Sequence, residues 1–405
     1  MDEMRELSPE VITAMIIAEL RRTVEAYLGT IVADAIISVP YKFSCVQLQA
    51  VVNAGAIAGL NILTAISPTS AAAIALTLNR VTTTDAKTVL ILDLGAGTLE
   101  VTLFRIDDGI VEVIATAGNT HLGGRDFDNR LVDDLVQEFK RYSKRDISSN
   151  DRALARLRTV CERTKRTLST STETTIDIGS LTADIDFSTT TRFVSTRSPL
   201  LAGRAASPDF SNWSRIFFGG KELTTAFHID DAVAHGTAVY AAVLTGSQAP
   251  MLDDLLLLGV APHSIGIGSE GGVMTPIIKR NTTIPTTKPH RFCTEKDNQT
   301  HLSVPVCYGE SAHAKGNTMI GILEITGLPP APRGVSQVEN YFDIEQRGTL
   351  YVRKASGTDP MITVTFHLYR PPNGEMGRMV REFESYKSVD ERDVADFRRM
   401  RTSFD

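Results

Sequence analysis

Cysteine is scarce in this chain of 405 residues: Cys45, Cys161, Cys293 and Cys307 are scattered, and no two form a CxxC pair. That spacing argues against both a disulfide scaffold and a zinc site, and it fits free thiols in a reducing compartment. Long hydrophobic runs are missing too. No stretch approaches the roughly 20 apolar residues of a membrane span, so no membrane partner is expected. Positive charge is not in excess. The net charge of −6 argues against general nucleic-acid binding, which needs a basic face. The first residues, Met1–Glu6, are charged and lack the apolar core of a signal peptide, so a cytoplasmic location is expected. What remains is ordinary for a globular protein, 42% apolar and 22% charged, and long enough for two or three domains.

The stretch Asp93–Val101 has the least ordinary chemistry. It follows the apolar run Thr88–Leu92 and sets Gly95, Ala96 and Gly97 in one turn with almost no side-chain bulk. Backbone N–H groups in such a turn can close on a phosphate, because no large side chain blocks the approach. Thr98 adds a hydroxyl, and Asp93 and Glu100 add carboxylates that suit a hydrated Mg²⁺ beside that phosphate. An ordinary hairpin is the competing reading, since strand-like alternation resumes at Val101 and Leu103.

Ahead of this turn, Ser8 and Pro9 mark a helix start. Ile12, Ile16, Leu20, Val24 and Leu28 then recur every fourth residue as one apolar stripe, and Gly29 ends the helix. A strand is expected over Ala35–Val39, a helix over Gln47–Ala58, and an alanine-rich helix over Ala71–Leu78. Beyond it, Val101–Ile106 and Gly109–Thr116 read as a hairpin. A second glycine turn stands at Gly123-Gly124, before a helix carried by Phe127, Leu131, Leu135 and Phe139. This alternation points to an α/β domain with ligands at strand ends.

A helix over Arg152–Ser169 has Leu154, Leu157, Cys161, Thr164 and Leu168 on one face. Glu162, Lys165, Arg166 and Ser169 share a second face. That face is either a solvated stripe of ion pairs or a polar wall contacting a nucleotide base and ribose. Phe187–Arg215, rich in Ser, Thr, Arg and Ala, is expected to be an irregular connection. Ile229–Leu244 returns to helical periodicity. Asp253–Leu258 reads as a linker that can dock, or as the first buried strand of the next region. From Val260 to about Leu368 frequent turns and alternation around Gln346–Gly348 indicate an all-β region, whose edge could hold an extended peptide. Met376–Arg401 suggests one amphipathic helix.

Several of these runs together resemble the heat-shock-protein-70 (DnaK) chaperone family. They are Thr116–Gly124, Cys161–Ser169, Gly271–Thr275, Lys279–Thr286 and Pro329–Gly334, in the family's order. The likeness is densest over Asp93–Ser180 and Leu255–Ala355. The resemblance implies an incomplete α/β actin-like ATPase domain at 1–250 and an interdomain linker at 251–259. An antiparallel β-sandwich that grips peptides would follow at 260–370, and a short helical lid at 371–405. ATP or ADP with Mg²⁺ would be the cofactors. Gly95, Ala96, Gly97 and Thr98 become a phosphate loop, with Asp93 toward the metal and Asp93, Thr98 and Glu100 as the catalytic set. Gly123 and Gly124 lie near the phosphates, and Glu162, Lys165, Arg166 and Ser169 contact adenosine. Ile267, Phe292, Leu302 and Val304 line a channel for extended apolar segments of unfolded polypeptides. J-domain co-chaperones and nucleotide exchange factors are the further partners the family implies.

Departures from the family pattern temper the activity. Nothing matches the family's first phosphate loop or catalytic lysine, so the chain is expected to begin partway into the ATPase domain. Ala65–Thr69 has Ser67 where the family has a glutamate. Lys42, Cys45 and Leu48 replace coupling residues, and the family's adenosine-binding Gly-Gly-Ser-Thr-Arg turn is not recognisable, Val194–Arg197 being the run that resembles what is left of it. Glu270 and Glu295 stand where the channel is small or apolar. The expectation is a chaperone whose hydrolysis is weak or lost; a nucleotide-independent peptide-binding module and a decayed paralogue are the alternatives.

Overall fold

The computed structural model describes residues 6–78, 86–169, 171–182, 185–192, 229–247, 249, 252, 254–345, 349–354, 360–365 and 377–384. The helices are α1 (Pro9–Leu28), α2 (Cys45–Ile57), α3 (Pro68–Leu78), α4 (Gly124–Ser143), α5 (Asp151–Leu168) and α6 (Ile229–Leu244). The first strands are β1 (Asp34–Ser38), β2 (Asn61–Ile66), β3 (Lys87–Leu94), β4 (Leu99–Asp107), β5 (Ile110–Asn119), β6 (Glu173–Thr182), β7 (Ile185–Arg192) and β8 (Leu256–Leu258). Then come β9 (Ile265–Gly268), β10 (Met274–Ile278), β11 (Thr286–Cys293), β12 (His301–Tyr308), β13 (Thr318–Thr326), β14 (Gln337–Ile344), β15 (Thr349–Lys354) and β16 (Pro360–Thr365). The chain divides into two compact units. One comprises Met1–Val89, Leu103–Thr116 and Ala232–Asp405; the other comprises Leu90–Thr102 and Ala117–Asp231.

In the first unit, α1 starts at Pro9 and stops where Gly29 turns left-handed at φ 69°. Small residues let α1 and α2 approach closely: Val11, Ala14, Ala54, Ile57 and Ala58 form their shared core. Arg21 reaches across and donates to the carbonyls of Ala58 and Gly59 at the end of α2. The anticipated α1 stripe lies on the other side of the helix. Ile12, Ile16, Leu20, Val24 and Leu28 are exposed, at 44% or more of their surface. Helix α2 opens with a capping box in which Gln47 N–H donates to the Ser44 hydroxyl and Ser44 N–H donates to the Gln47 side chain. Strands β1 and β2 pair in parallel.

Helix α3 is buried along its alanines, with Ala71, Ala73, Ile74 and Ala75 at 0% exposure. Its backbone meets α6 at Gly236, where a Cβ would fall 1.7 Å from the Ala71 carbonyl oxygen. Strands β3, β4, β5 and β8 form one sheet in that order. Its last pairing runs parallel, with Ile110 opposite Leu256 and Glu112 opposite Leu258, so the leucine run is a strand.

The β-rich region contains two antiparallel four-stranded sheets, ordered β10-β9-β12-β13 and β11-β14-β15-β16. Alternation explains their shared core. Phe342 faces Val352 and Ile344 faces Leu350 across β14 and β15. These four join Ile265, Ile267, Leu302, Val306, Leu323 and Ile325 of the other sheet in one cluster of buried side chains. Each such side chain stabilises the region by about 1.5–3 kcal/mol on burial. The turn Gln346–Gly348 lies outside the described residues. Of the expected tail helix, 377–384 are helical and the rest lies outside the described residues. Met379 there is buried with α1 and α2, and Val380 and Phe383 pack on the same cluster.

In the second unit, α4 and α5 pack on the hairpin β6–β7 through Val132, Leu135, Phe139, Leu157, Cys161, Ile176, Ile178 and Phe187. Phe139 meets Phe187 edge-on, with ring centroids 5.5 Å apart. Part of the segment expected to be irregular is therefore a strand. Phe187–Arg192 pairs with Glu173–Ile178. The threonines of β7 hid a two-residue alternation whose inward member, Phe187, is 2% exposed. Residues 193–215 of that segment, with Val194–Arg197, lie outside the described residues.

Candidate functional site

The turn after β3 is closed by its own backbone: Gly95 N–H donates to the Thr98 carbonyl at 2.9 Å. Beyond it, Gly124 N–H donates to the Gly95 carbonyl at 2.9 Å, and Arg125 N–H to the Ala96 carbonyl at 2.8 Å. The first turn of α4 is thus stitched to the loop. Gly123 is where the two backbones touch: a Cβ there would lie 2.4 Å from Gly97 N and 2.5 Å from the Ala96 carbonyl carbon. Gly123 N–H is taken by Asp126, which caps the helix. Among the described residues, the N–H groups of Ala96, Gly97 and Thr98 donate to no acceptor. Ala96 and Gly97 are exposed, and nothing lies within 4 Å of where a Gly97 Cβ would stand. The result is three adjacent N–H groups without a described acceptor in a turn of little side-chain bulk, the arrangement that can receive an anion.

Asp93 and Glu100 lie at the two ends of this loop. Burial pushes the Asp93 carboxyl upward from its ordinary range, and the Glu100 charge pushes it further. Glu100 is 6% exposed. A cation beside these carboxylates would favour their charged forms. Among the described residues no group of three or more His, Cys, Asp or Glu side chains converges to hold a metal. This donor set fits Mg²⁺ that keeps most of its waters and takes other ligands from phosphate. It does not fit a protein-caged ion.

The α5 face divides in two. Lys165 turns inward, its ammonium donating to Asp128 Oδ2 at 2.7 Å and to the Gly124 carbonyl at 2.9 Å. Glu162 and Arg166 are exposed and paired with each other. Ser169 caps the helix end, its hydroxyl donating to the Lys165 carbonyl at 3.2 Å. The structure therefore joins Gly95, Ala96, Gly124, Arg125 and Lys165 by hydrogen bonds, with Gly123 packed on Ala96 and Gly97, and Glu162, Arg166 and Ser169 within one turn of Lys165. Asp128 was not foreseen as a site residue. The available signal was its place one helical turn beyond Gly124.

In the other unit, Ile267, Phe292 and Leu302 are buried in the β-rich core, and Val304 packs against it half-buried. Phe292 meets the His290 ring edge-on at 4.8 Å, and burial lowers the His290 pKa. Glu295 is exposed, and the Glu270 side chain lies outside the described residues. Ser67 is used as a helix cap: its hydroxyl accepts from Ser70 N–H at 3.1 Å and bonds to the Ser70 hydroxyl at 3.0 Å.

A family model described as Hsp70 protein matches residues 1–201 and 200–402, nearly the whole chain. The chain belongs to the Hsp70 family. Among curated relatives, heat shock 70 kDa protein 2 of Paracoccidioides lutzii is 44% identical over 427 residues, covering 97% of this chain and 65% of the relative. The heat shock 70 kDa protein of Emericella nidulans is 44% identical over 426 residues, covering 97% and 66%. A ribosome-associated molecular chaperone of Eremothecium gossypii is 40% identical over 423 residues, covering 96% and 69%. This Hsp70 chain thus spans about 65% of the length of the first two relatives. No described helix is long and apolar enough to cross a membrane.

Proposed function

We propose that this Hsp70-family chain is a chaperone-type protein that binds ATP or ADP with Mg²⁺ and holds extended apolar segments of unfolded polypeptides. One observation carries the nucleotide half: three adjacent N–H groups without a described acceptor, Ala96 to Thr98, in the loop that Asp93 and Glu100 flank in sequence. Ala96, Gly97 and Thr98 would hold phosphate, Asp93 a Mg²⁺-bound water, and Glu162, Arg166 and Ser169 the adenosine. Residues 1–250 would form a partial actin-like nucleotide-binding domain, 251–259 a linker, and 260–370 a peptide-binding β-sandwich. Bound nucleotide would supply the phosphate charge that the loop and metal share.

Hydrolysis would be weak. Phosphoryl transfer depends on charge positioned around the γ-phosphate. Where the family has a glutamate this chain has Ser67, whose hydroxyl is committed to the start of α3. Calorimetry of the purified chain with ADP, with and without Mg²⁺, tests the binding. Saturable, Mg²⁺-strengthened binding is expected, and its absence refutes the nucleotide half. A phosphate-release assay should show turnover no greater than a Thr98→Ala control.

A second reading, peptide binding without nucleotide control, is favoured by the β-rich region, whose two sheets share one buried apolar cluster. Two or three apolar side chains seated there, at about 1.5–3 kcal/mol each, would leave modest affinity after ordering. Anisotropy with a short leucine-rich peptide separates the readings: binding unaffected by ADP supports this one. J-domain co-chaperones and exchange factors are the partners to test if nucleotide control is present.

A further inference from the structure

We infer that Asp128 is a positioning residue for nucleotide, acting through Lys165 to hold the phosphate loop in its binding shape. This rests on the nucleotide reading above. The argument begins with the Lys165 ammonium, which is mostly withdrawn from water: its side chain is 12% exposed, and that of Asp128 15%. An ammonium so placed needs a counter-charge, and the Asp128 carboxylate is the anion that touches it. With Asp128 in place, the ammonium also holds the Gly124 carbonyl at 2.9 Å. The backbone N–H of that same Gly124 grips Gly95, and its neighbour Arg125 grips Ala96. The sequence of contacts is therefore continuous, from Asp128 on α4 through Lys165 on α5 to Gly124 and the loop whose donors would meet phosphate. Two of the three ammonium N–H groups are used, which leaves one for a ligand.

The geometry leaves little slack. A Cβ at Gly124 would sit 3.2 Å from the Lys165 ammonium, so the lysine head abuts the backbone it supports. The second oxygen of Asp128 is buried with no partner. The carboxylate thus has one charged neighbour to satisfy it, and a neutral amide at 128 would remove the charge without changing shape. Lys165 would then swing toward water, the Gly124 carbonyl would lose its donor, and the loop would relax.

The test uses the full chain and four variants: Asp128→Asn, Asp128→Glu, Lys165→Met and the double Asp128→Asn/Lys165→Met. ADP with Mg²⁺, and adenosine alone, are titrated by calorimetry, and thermal unfolding is followed in parallel. Asp128→Asn should weaken ADP about tenfold, the low end for removing a group that supports a ligand contact. Adenosine, which lacks phosphate, should change less than about twofold. Asp128→Glu should recover part of the loss. In the Lys165→Met background the Asp128→Asn change should have no further effect, because contacts acting through one residue are not additive. Equal losses for adenosine and ADP, or additive losses in the double variant, would overturn the proposal. So would unchanged ADP affinity in Asp128→Asn while the parent chain binds. Should Asp128→Asn not fold, the Lys165→Met and Asp128→Glu pair decides on the same criteria. A parent chain that binds no ADP removes the nucleotide reading itself, and the proposal with it.

Discussion

Two glycines of the candidate loop should respond in opposite ways to one added methyl. At Gly123 the backbone is extended, with φ −167°, so alanine adopts it without strain. The obstacle is contact. The new Cβ would lie 2.4 Å from Gly97 N and 2.5 Å from Gly97 Cα and the Ala96 carbonyl carbon. All three are backbone atoms, and no side chain can swing away. Overpacking of this kind costs about 1–3 kcal/mol, and with backbone on both sides the upper part of that range applies. For a domain of this size, about 2–3 kcal/mol lowers Tm by roughly 5–10 °C. At Gly97 nothing lies within 4 Å, so Gly97→Ala should leave Tm unchanged within about 0.5 kcal/mol of stability. Its methyl would instead stand in the open space that phosphate would occupy, and MgADP affinity should fall about tenfold, or about 1.4 kcal/mol. Circular dichroism melts and calorimetry on both variants read these effects. The reasoning is refuted if Gly97→Ala binds MgADP as tightly as the parent, or if Gly123→Ala melts with the parent.

Further outcomes follow from single side chains. Burial and Glu100 raise the Asp93 pKa above 3.8, so folding shifts this carboxyl toward its protonated form. That contribution to stability is present in acid and is lost as pH rises through the raised value. Asp93→Asn should therefore raise Tm at pH 7 without Mg²⁺, and should cancel the extra stabilisation that Mg²⁺ gives to the ADP complex; a lower Tm would count against the account. His263 shows the opposite sign. Burial lowers its pKa below 6.5, with Lys42 and Arg280 acting the same way and Glu310 and a Lys42 backbone bond opposing. The neutral ring is the folded form, so stability should fall as pH drops below 6.5, and His263→Gln should flatten Tm between pH 7.5 and about 5.5. Gly236→Ala would push a Cβ to 1.7 Å from the Ala71 carbonyl and should cost about 3 kcal/mol by chemical denaturation. A variant as stable as the parent would mean that α3 and α6 are not in contact there.

Much of the fold was legible because local signals were strong. Pro9 and Gly29 bracket α1, and the alternation of Phe342, Ile344, Leu350 and Val352 marks β14 and β15 in the sequence itself. The loop Gly95–Thr98 and the turn Gly123-Gly124 could be named from glycine spacing, but not their mutual stitching, which joins residues distant in sequence. The polar face of α5 looked uniform by period. Only the tertiary neighbour Asp128 separates inward Lys165 from the outward Glu162–Arg166 pair. The β6–β7 hairpin was half missed because threonine alternates with few apolar residues in β7. The apolar period of α1 was read correctly, but period does not say which stripe packs. Small size decided it, since Ala14 and Ala58 allow a closer approach than Ile16 or Leu20.

That unpaired row on α1 governs how the molecule behaves in a tube. Ile12, Ile16, Leu20, Val24, Tyr27 and Leu28 of α1, with Ile31 just beyond it, are large apolar side chains left exposed. Sulfate salts, which strengthen apolar association, should precipitate this chain earlier than a net charge of −6 suggests. Phenyl resins should retain it, and mild detergent should release it.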